Sequence, residues 1–157
     1  MSNEQSAPAL ARTILQGYVV NTEFGGFRIP APLQNLQLRD YAARNNLQFK
    51  LSVGEYSFPG CYLQLEGLYS QLHSLEGIGM CSLFMLPKSE ERRNQLYDAC
   101  LDAGAALHLV LEGIVLRKSA DRERIEDILA FHRSFQFCPK TIPIELLPPS
   151  SANDSFT

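Results

Sequence analysis

Segments with the character of β-strands alternate strictly with segments with the character of helices along this chain. The strand-like segments are short and apolar or alternating, and the segments between them carry apolar residues at three- and four-residue steps. The predicted strands are 14–21, 47–53, 75–83 and 105–111, and the predicted helices are 33–46, 61–72, 89–103 and 119–135. This order predicts an α/β fold of three layers, in which a mainly parallel four-stranded sheet carries helices on both faces.

Local signals indicate where several of these helices begin and end. Ser89 is a candidate N-cap of the third helix, and Gly104 is a candidate C-terminal stop for it. Ser119 is a candidate N-cap of the fourth helix. The first helix carries an apolar stripe that we expect to be buried, formed by Leu33, Leu36, Tyr41 and Ala42.

Length and charge limit the possible functions. The 157 residues suffice for one domain with a hydrophobic core. We expect a flexible N-terminus at 1–12, a single α/β domain at 13–136 and an extended C-terminal tail at 137–157. A formal charge of −3 argues against nucleic-acid binding, and no apolar stretch reaches the length of a membrane span. Because the N-terminus also lacks a secretory signal pattern, we expect a cytoplasmic protein.

The sequence lacks the common motifs for metals and large cofactors. No glycine-rich dinucleotide motif and no P-loop is present. The four cysteines have no zinc-ligand spacing, and we expect them to be reduced and mostly buried; they are Cys61, Cys81, Cys100 and Cys138. The sequence therefore predicts a protein without a metal or a cofactor.

The loop that follows the first predicted strand is unusually long. A strand normally reaches the next helix within about 2–6 residues, and here roughly ten intervene. Gly25 and Gly26 allow a close approach of backbone to a ligand. Arg28 presents a planar cation that suits a carboxylate or a phosphate. The alternative is that Arg28 pairs with Glu23 or Glu55 and only fixes the loop.

Polar residues also follow the other predicted strands. Since ligands bind at the carboxyl ends of parallel strands, we expect these residues to converge on one site. A carboxylate partly buried there can have a raised pKa and act as an acid or base, or it can instead accept hydrogen bonds from loop amides. The predicted catalytic residues are Glu55 and Glu112, and the predicted substrate-binding residues are Asn21, Gly25, Gly26, Arg28, Gln34, Asn35, Tyr56 and Ser82.

The stretches GYVVNT, QNLQLRDYAARNNLQF and LHLVLEG resemble the N-terminal domain of serine recombinases in element order and strand character. The resemblance implies a resolvase-like fold, and because such domains often pair, a homodimer is one option. The recombinase chemistry does not carry over. The nucleophilic serine and its arginine are expected at the end of the first strand, where this chain has Val20, Asn21 and Thr22, and the arginine pair expected after the third strand is replaced by residues 85–88.

A denser resemblance, over about residues 16–116, is to the bacterial sporadic carbohydrate cluster proteins. It is carried by GYVVNTEFGGFRIPAPLQNLQLRDYA, EYSFPGCYLQLEGL, SLEGIGMCSLFMLP and LHLVLEGIVL. The resemblance implies a place in the biosynthesis of surface polysaccharides or unusual sugars. It carries no known catalytic residues.

These observations lead to two functional hypotheses. The first is a cofactor-independent enzyme, an isomerase, epimerase or lyase, that performs acid–base chemistry on a sugar phosphate, sugar acid or nucleotide-sugar. The second is a non-catalytic binding or scaffold protein that joins partner enzymes of the same pathway. The second hypothesis predicts that Glu55→Gln and Glu112→Gln leave function intact.

Overall fold

The computed structural model describes residues 11–141, and the predicted N-terminal segment and C-terminal tail lie largely outside this range. The strands are β1 (Ile14–Val19), β2 (Gln48–Gly54), β3 (Gly77–Met80), β4 (Ala106–Leu109) and β5 (Ile114–Leu116). The α-helices are α1 (Ala31–Arg44), α2 (Leu63–Gly67), α3 (Glu90–Ala103) and α4 (Asp121–Ser134). Three 3₁₀ helices occupy Tyr69–Ser74, Leu83–Met85 and Phe135–Phe137.

One five-stranded sheet organises the fold, with the strand order β2-β1-β3-β4-β5. The first four strands pair in parallel, which confirms the predicted α/β fold. All residues of β3 and β4, the strands inside the sheet between β1 and β5, are buried. Within residues 11–141, no helix has the length and apolar character that crossing a membrane requires.

The fifth strand is not predicted from the sequence. It has only three residues and pairs antiparallel with β4 through a tight turn. Gly113 occupies this turn with a φ of +64°, a conformation that glycine adopts without strain. A strand this short carries too few residues to show an alternating pattern, so the predicted count of four strands is one too low.

The helix ends agree with the predictions at α3 and differ at α4. The hydroxyl of Ser89 accepts a hydrogen bond from the amide of Arg92 at 3.4 Å, and Gly104 ends α3 with a φ of +65°. At α4 the predicted cap by Ser119 is wrong, because the N-cap residue is Ala120 and has no capping side chain. Instead the carboxylate of Asp121 accepts hydrogen bonds from two backbone amides before the helix, those of residues 117 and 118.

The predicted apolar stripe of α1 is wrong in part. Leu33 and Leu36 are exposed, Leu36 to 62%. The buried residues of the helix are Gln34, Leu38 and Ala42. A glutamine occupies this position because its amide both donates and accepts hydrogen bonds, and the backbone of the neighbouring loop supplies the partners.

The predicted helix 61–72 is interrupted. Its place is taken by the five residues of α2 and a following 3₁₀ helix. The break follows Gly67, and glycine is unfavourable inside helices because it loses the most backbone freedom on folding. The leucine spacing still predicts burial correctly, since the buried residues here are Leu65, Leu68 and Leu72.

All four cysteines are free thiols. Cys81 and Cys100 are buried, Cys61 is half-buried and Cys138 is exposed. The predicted burial is therefore confirmed for two of the four.

Candidate functional site

The carboxyl ends of β1, β2 and β3 open into a cavity of about 500 Å³, which we call the main cleft. Its walls come from the loops after these three strands and from the first turn of α3. This is the edge at which ligands bind in parallel sheets. Of the predicted site residues, Glu55 and Tyr56 line the main cleft.

Aromatic rings form a large part of the main cleft. Tyr56 and Phe58 stack on each other with a centroid distance of 6.1 Å, and both side chains are at least half exposed. Tyr62 and Phe84 contribute further rings. Exposed rings in a cleft cost free energy in water and provide flat apolar faces for a ligand.

Two cations, Lys88 and Arg92, line the same cleft. The guanidinium of Arg92 lies 5.7 Å from the centroid of the Tyr62 ring and 3.7 Å from a carboxylate oxygen of Glu66. Because Lys88 and Arg92 are exposed, this contact with Glu66 is weak, and the two cations can turn towards an anionic ligand.

The carboxylate of Glu55 is occupied by hydrogen bonds from the protein itself. The side chain is only 6% exposed. The Tyr18 hydroxyl donates to it at 3.1 Å, and the Leu65 amide donates at 3.2 Å. The amides of Gln64 and Tyr56 and the thiol of Cys61 are further donors.

These bonds decide the protonation of Glu55. Burial alone would raise its pKa, but the hydrogen bonds from Gln64, Leu65, Tyr56 and Tyr18 outweigh burial and hold the pKa below its ordinary value. The direction of this pKa shift is opposite to the one that the acid–base alternative for Glu55 requires. Of the two alternatives for Glu55, the structure supports the one in which it satisfies the amides at the start of α2.

The glycine pair forms a tight turn. Phe24 and Phe27 exchange two backbone hydrogen bonds of 2.8 and 2.9 Å, and between them Gly25 and Gly26 have φ values of +59° and +82°. Positive φ at both central residues is the requirement of a type I′ turn. The turn buries Phe24 and leaves Phe27 71% exposed.

Arg28 and Asn21, predicted to bind the substrate, lie outside the main cleft. Both are exposed. Within residues 11–141, Arg28 forms neither of the ion pairs considered as its alternative role, with Glu23 or with Glu55. The turn therefore shapes the wall of the cleft, and the arginine that follows it faces solvent.

Gln34 and Asn35 also lie outside the main cleft. Gln34 is fully buried, and its side-chain amide bonds to both backbone groups of Val20 and to the carbonyl of Ile29. Gln34 thus anchors both ends of the long loop, and the structure gives it no free group for a ligand. Asn35 is half-buried.

Ser82 and Glu112 bond to each other. The Ser82 hydroxyl donates to Glu112 Oε1 at 2.6 Å, and the Leu83 amide donates to Oε2 at 2.9 Å. The Phe84 amide in turn donates to the Ser82 hydroxyl. These bonds cap the 3₁₀ helix that carries Phe84, and neither Ser82 nor Glu112 lines the main cleft.

A second cavity, of about 560 Å³, lies on the other side of the glycine turn. Gly25 and Gly26 line it, together with residues 86–88 and the last turns of α4. Two predicted binding residues therefore contact a cavity other than the one that holds Glu55 and Tyr56.

In residues 11–141 no three histidine, cysteine, aspartate or glutamate side chains converge as a metal site requires.

Sequence reasoning missed the two cations of the main cleft. Lys88 and Arg92 flank Ser89, whose capping role is predicted from the sequence. A cap places the first turn of a helix, and in a parallel sheet that turn lies at the carboxyl edge. The segment KSEERR, directly after a strand end and across a predicted cap, is the signal that could have identified them.

The chain has a resolvase-like α/β fold. The N-terminal catalytic domain of TP901-1 integrase has a similar structure, with a TM-score of 0.58 over 78% of this chain and 98% of that domain. The two sequences are 16% identical, so the likeness shows the fold alone. No model of a known protein family matches this chain, and no curated protein matches its sequence.

Proposed function

We propose that this protein binds a small anionic sugar derivative in the main cleft. The observation that carries the proposal is that stacked aromatic rings and the cations Lys88 and Arg92 line one cavity at the carboxyl ends of the parallel strands. The apolar face of a sugar ring packs on aromatic side chains, and a phosphate or carboxylate pairs with lysine and arginine. The cavity volume is within the range of small-molecule sites.

The resemblance to sporadic carbohydrate cluster proteins supports the assignment of the ligand as a sugar derivative. It also supports a role for the protein in the biosynthesis of polysaccharides or unusual sugars. For acid–base chemistry on such a ligand, Glu23 is better placed than the residues expected from the sequence. It is exposed and lines the cleft, whereas the carboxylate of Glu55 is occupied and Glu112 lies outside. For the isomerisation, epimerisation or elimination predicted from the sequence, Glu23 would be the base.

Arg92→Ala tests the binding site. We expect at least a tenfold loss of affinity, about 1.4 kcal/mol, because the guanidinium that pairs with the anionic group is removed. The measurement is isothermal titration calorimetry with sugar phosphates, sugar acids and nucleotide-sugars that stabilise the wild-type protein in a thermal-shift screen. Stability itself should change little, since the Arg92 contacts are exposed.

Arg28→Ala is the matched control, because it removes another exposed arginine, which lies in the loop after β1 and outside the cleft. Its affinity should equal that of the wild type. Loss of affinity in Arg28→Ala alone would move the site to the outer face of the loop. A folded wild-type protein that binds no compound of the three classes would contradict the proposal and favour the scaffold hypothesis.

A further inference from the structure

The main cleft and the second cavity are neighbours with a common wall. Five residues line both: Glu23, Phe24, Phe84, Leu86 and Lys88. The side chain of Phe84 is half-buried between them. A hexose phosphate is small enough for one of these cavities, so a ligand that uses both must be larger and have two parts.

The cations are distributed over both cavities. Lys88 lines both, Arg92 lines only the main cleft, and Arg133 lines only the second cavity. The guanidinium of Arg93 is not available, because both oxygens of the Glu126 carboxylate hold it at 2.7 and 2.8 Å. A lysine at the junction with an arginine on either side fits two linked phosphates.

The second cavity also provides a surface for a flat ring. The rings of Phe84 and His132 lie against each other with a centroid distance of 4.4 Å, and Leu129 also lines the cavity. A nucleobase stacks on aromatic side chains with any base identity, because every base has a π-face. Gln136 also lines this cavity, and its side-chain amide can bond to the ribose or the base edge.

We infer that the two cavities form one site for a nucleoside diphosphate sugar. The sugar occupies the main cleft, the diphosphate lies across Lys88, and the nucleoside occupies the second cavity against Phe84 and His132. This inference rests on the proposed function, and it narrows the ligand from an anionic sugar derivative to a glycosyl diphosphate with a nucleoside substituent.

The test compares matched pairs of ligands, each hexose 1-phosphate with its nucleoside diphosphate hexose, by isothermal titration calorimetry. We expect the nucleotide-sugar to bind at least about tenfold more tightly than the matched sugar phosphate. Arg133→Ala should reduce this advantage, because one of the cations of the second cavity is lost, and leave the affinity for the sugar phosphate, which lies in the main cleft, unchanged. Arg92→Ala should weaken the binding of both ligands, because Arg92 lines the main cleft that both occupy.

The outcomes separate this inference from the proposed function. Equal affinities within the pairs, or full nucleotide-sugar affinity in Arg133→Ala, would confine the ligand to the main cleft and overturn the inference alone. Binding of neither member of any pair would overturn the inference, and the proposed function would fall with it only when the sugar acids also fail to bind.

A pair of glycine variants tests the wall between the cavities. A Cβ added at Gly25 would lie 2.8 Å from the Phe84 ring, whereas one added at Gly26 has no atom within 4 Å. Both residues have positive φ, so both variants carry similar backbone strain. We expect Gly25→Ala to weaken nucleotide-sugar binding at least about fivefold more than Gly26→Ala, because Phe84 is displaced.

Circular dichroism and thermal unfolding establish that both variants are folded. Should Gly25→Ala fail to fold, Phe84→Leu serves in its place, since it removes the ring surface and keeps an apolar side chain. Unchanged nucleotide-sugar affinity in Phe84→Leu would show that this wall does not contact the ligand, which contradicts the inference.

Discussion

Gly77→Ala is expected to destabilise the protein by about 3 kcal/mol or more. Gly77 is buried in β3, between β1 and β4, where it pairs with Leu15 and Ala106. A Cβ at this position would lie 2.2 Å from the carbonyl oxygen of Ala106. This atom belongs to the backbone, so no side-chain rotation relieves the overlap, and β3 and β4 must separate at the centre of the sheet.

Urea unfolding followed by circular dichroism measures this loss, and Gly67→Ala is the matched control. Gly67 is in α2 with no atom within 4 Å of an added Cβ, so alanine there should be neutral or stabilise by up to about 1 kcal/mol. If Gly77→Ala unfolds at the wild-type urea concentration, the close approach of β3 and β4 at this residue is incorrect. A variant that does not accumulate as folded protein agrees with the prediction, provided that Gly67→Ala folds.

The two ends of α3 and the class of the fold depend on short stretches of the chain, and the sequence predicts them correctly. Ser89 caps α3 and Gly104 ends it, because both roles depend on backbone groups within a few residues. The α/β class follows from the alternation of elements, which also depends on short stretches of sequence.

Features that depend on distant parts of the chain are not predictable in the same way. Gln34 is buried because the backbone at Val20 and Ile29 supplies its hydrogen bonds, and nothing in the helix itself indicates this. The apolar pattern therefore favours Leu33 and Leu36, which are exposed. Hydrophobicity is therefore a poor guide to burial at positions where a polar side chain can form all its hydrogen bonds inside the protein.

The candidate site divides along the same line. Its location at the carboxyl ends of the strands follows from the topology, but the residues that face the cleft depend on how each loop turns. The type I′ turn at Gly25 and Gly26 brings Phe24 inward and leaves Arg28 outside. The order of residues in the loop does not distinguish this arrangement from one in which Arg28 points inward.

Glu55→Gln is expected to cost about 3 kcal/mol of unfolding free energy, because a buried carboxylate that accepts hydrogen bonds from several donors is replaced by an amide. One oxygen of Glu55 becomes an NH₂ group, which faces the Tyr18 hydroxyl or the amides at the start of α2 and cannot accept from them. The loss is measured by urea unfolding at neutral pH. Glu23→Gln is the control, since this exposed carboxylate of the same cleft should change stability by less than about 0.5 kcal/mol.

The pH dependence of the same variant separates a structural carboxylate from a proton-transferring one. The pKa of Glu55 lies below its ordinary value of 4.5 in the folded protein. Its contribution to stability is therefore fully present above pH 4.5 and is lost as the pH falls through the lower folded value. The stability difference between wild type and Glu55→Gln should accordingly be constant at neutral pH and shrink below about pH 4.5. A Glu55→Gln variant as stable as the wild type at neutral pH, but without turnover of a bound sugar, would contradict the structural role and make Glu55 a catalytic acid or base.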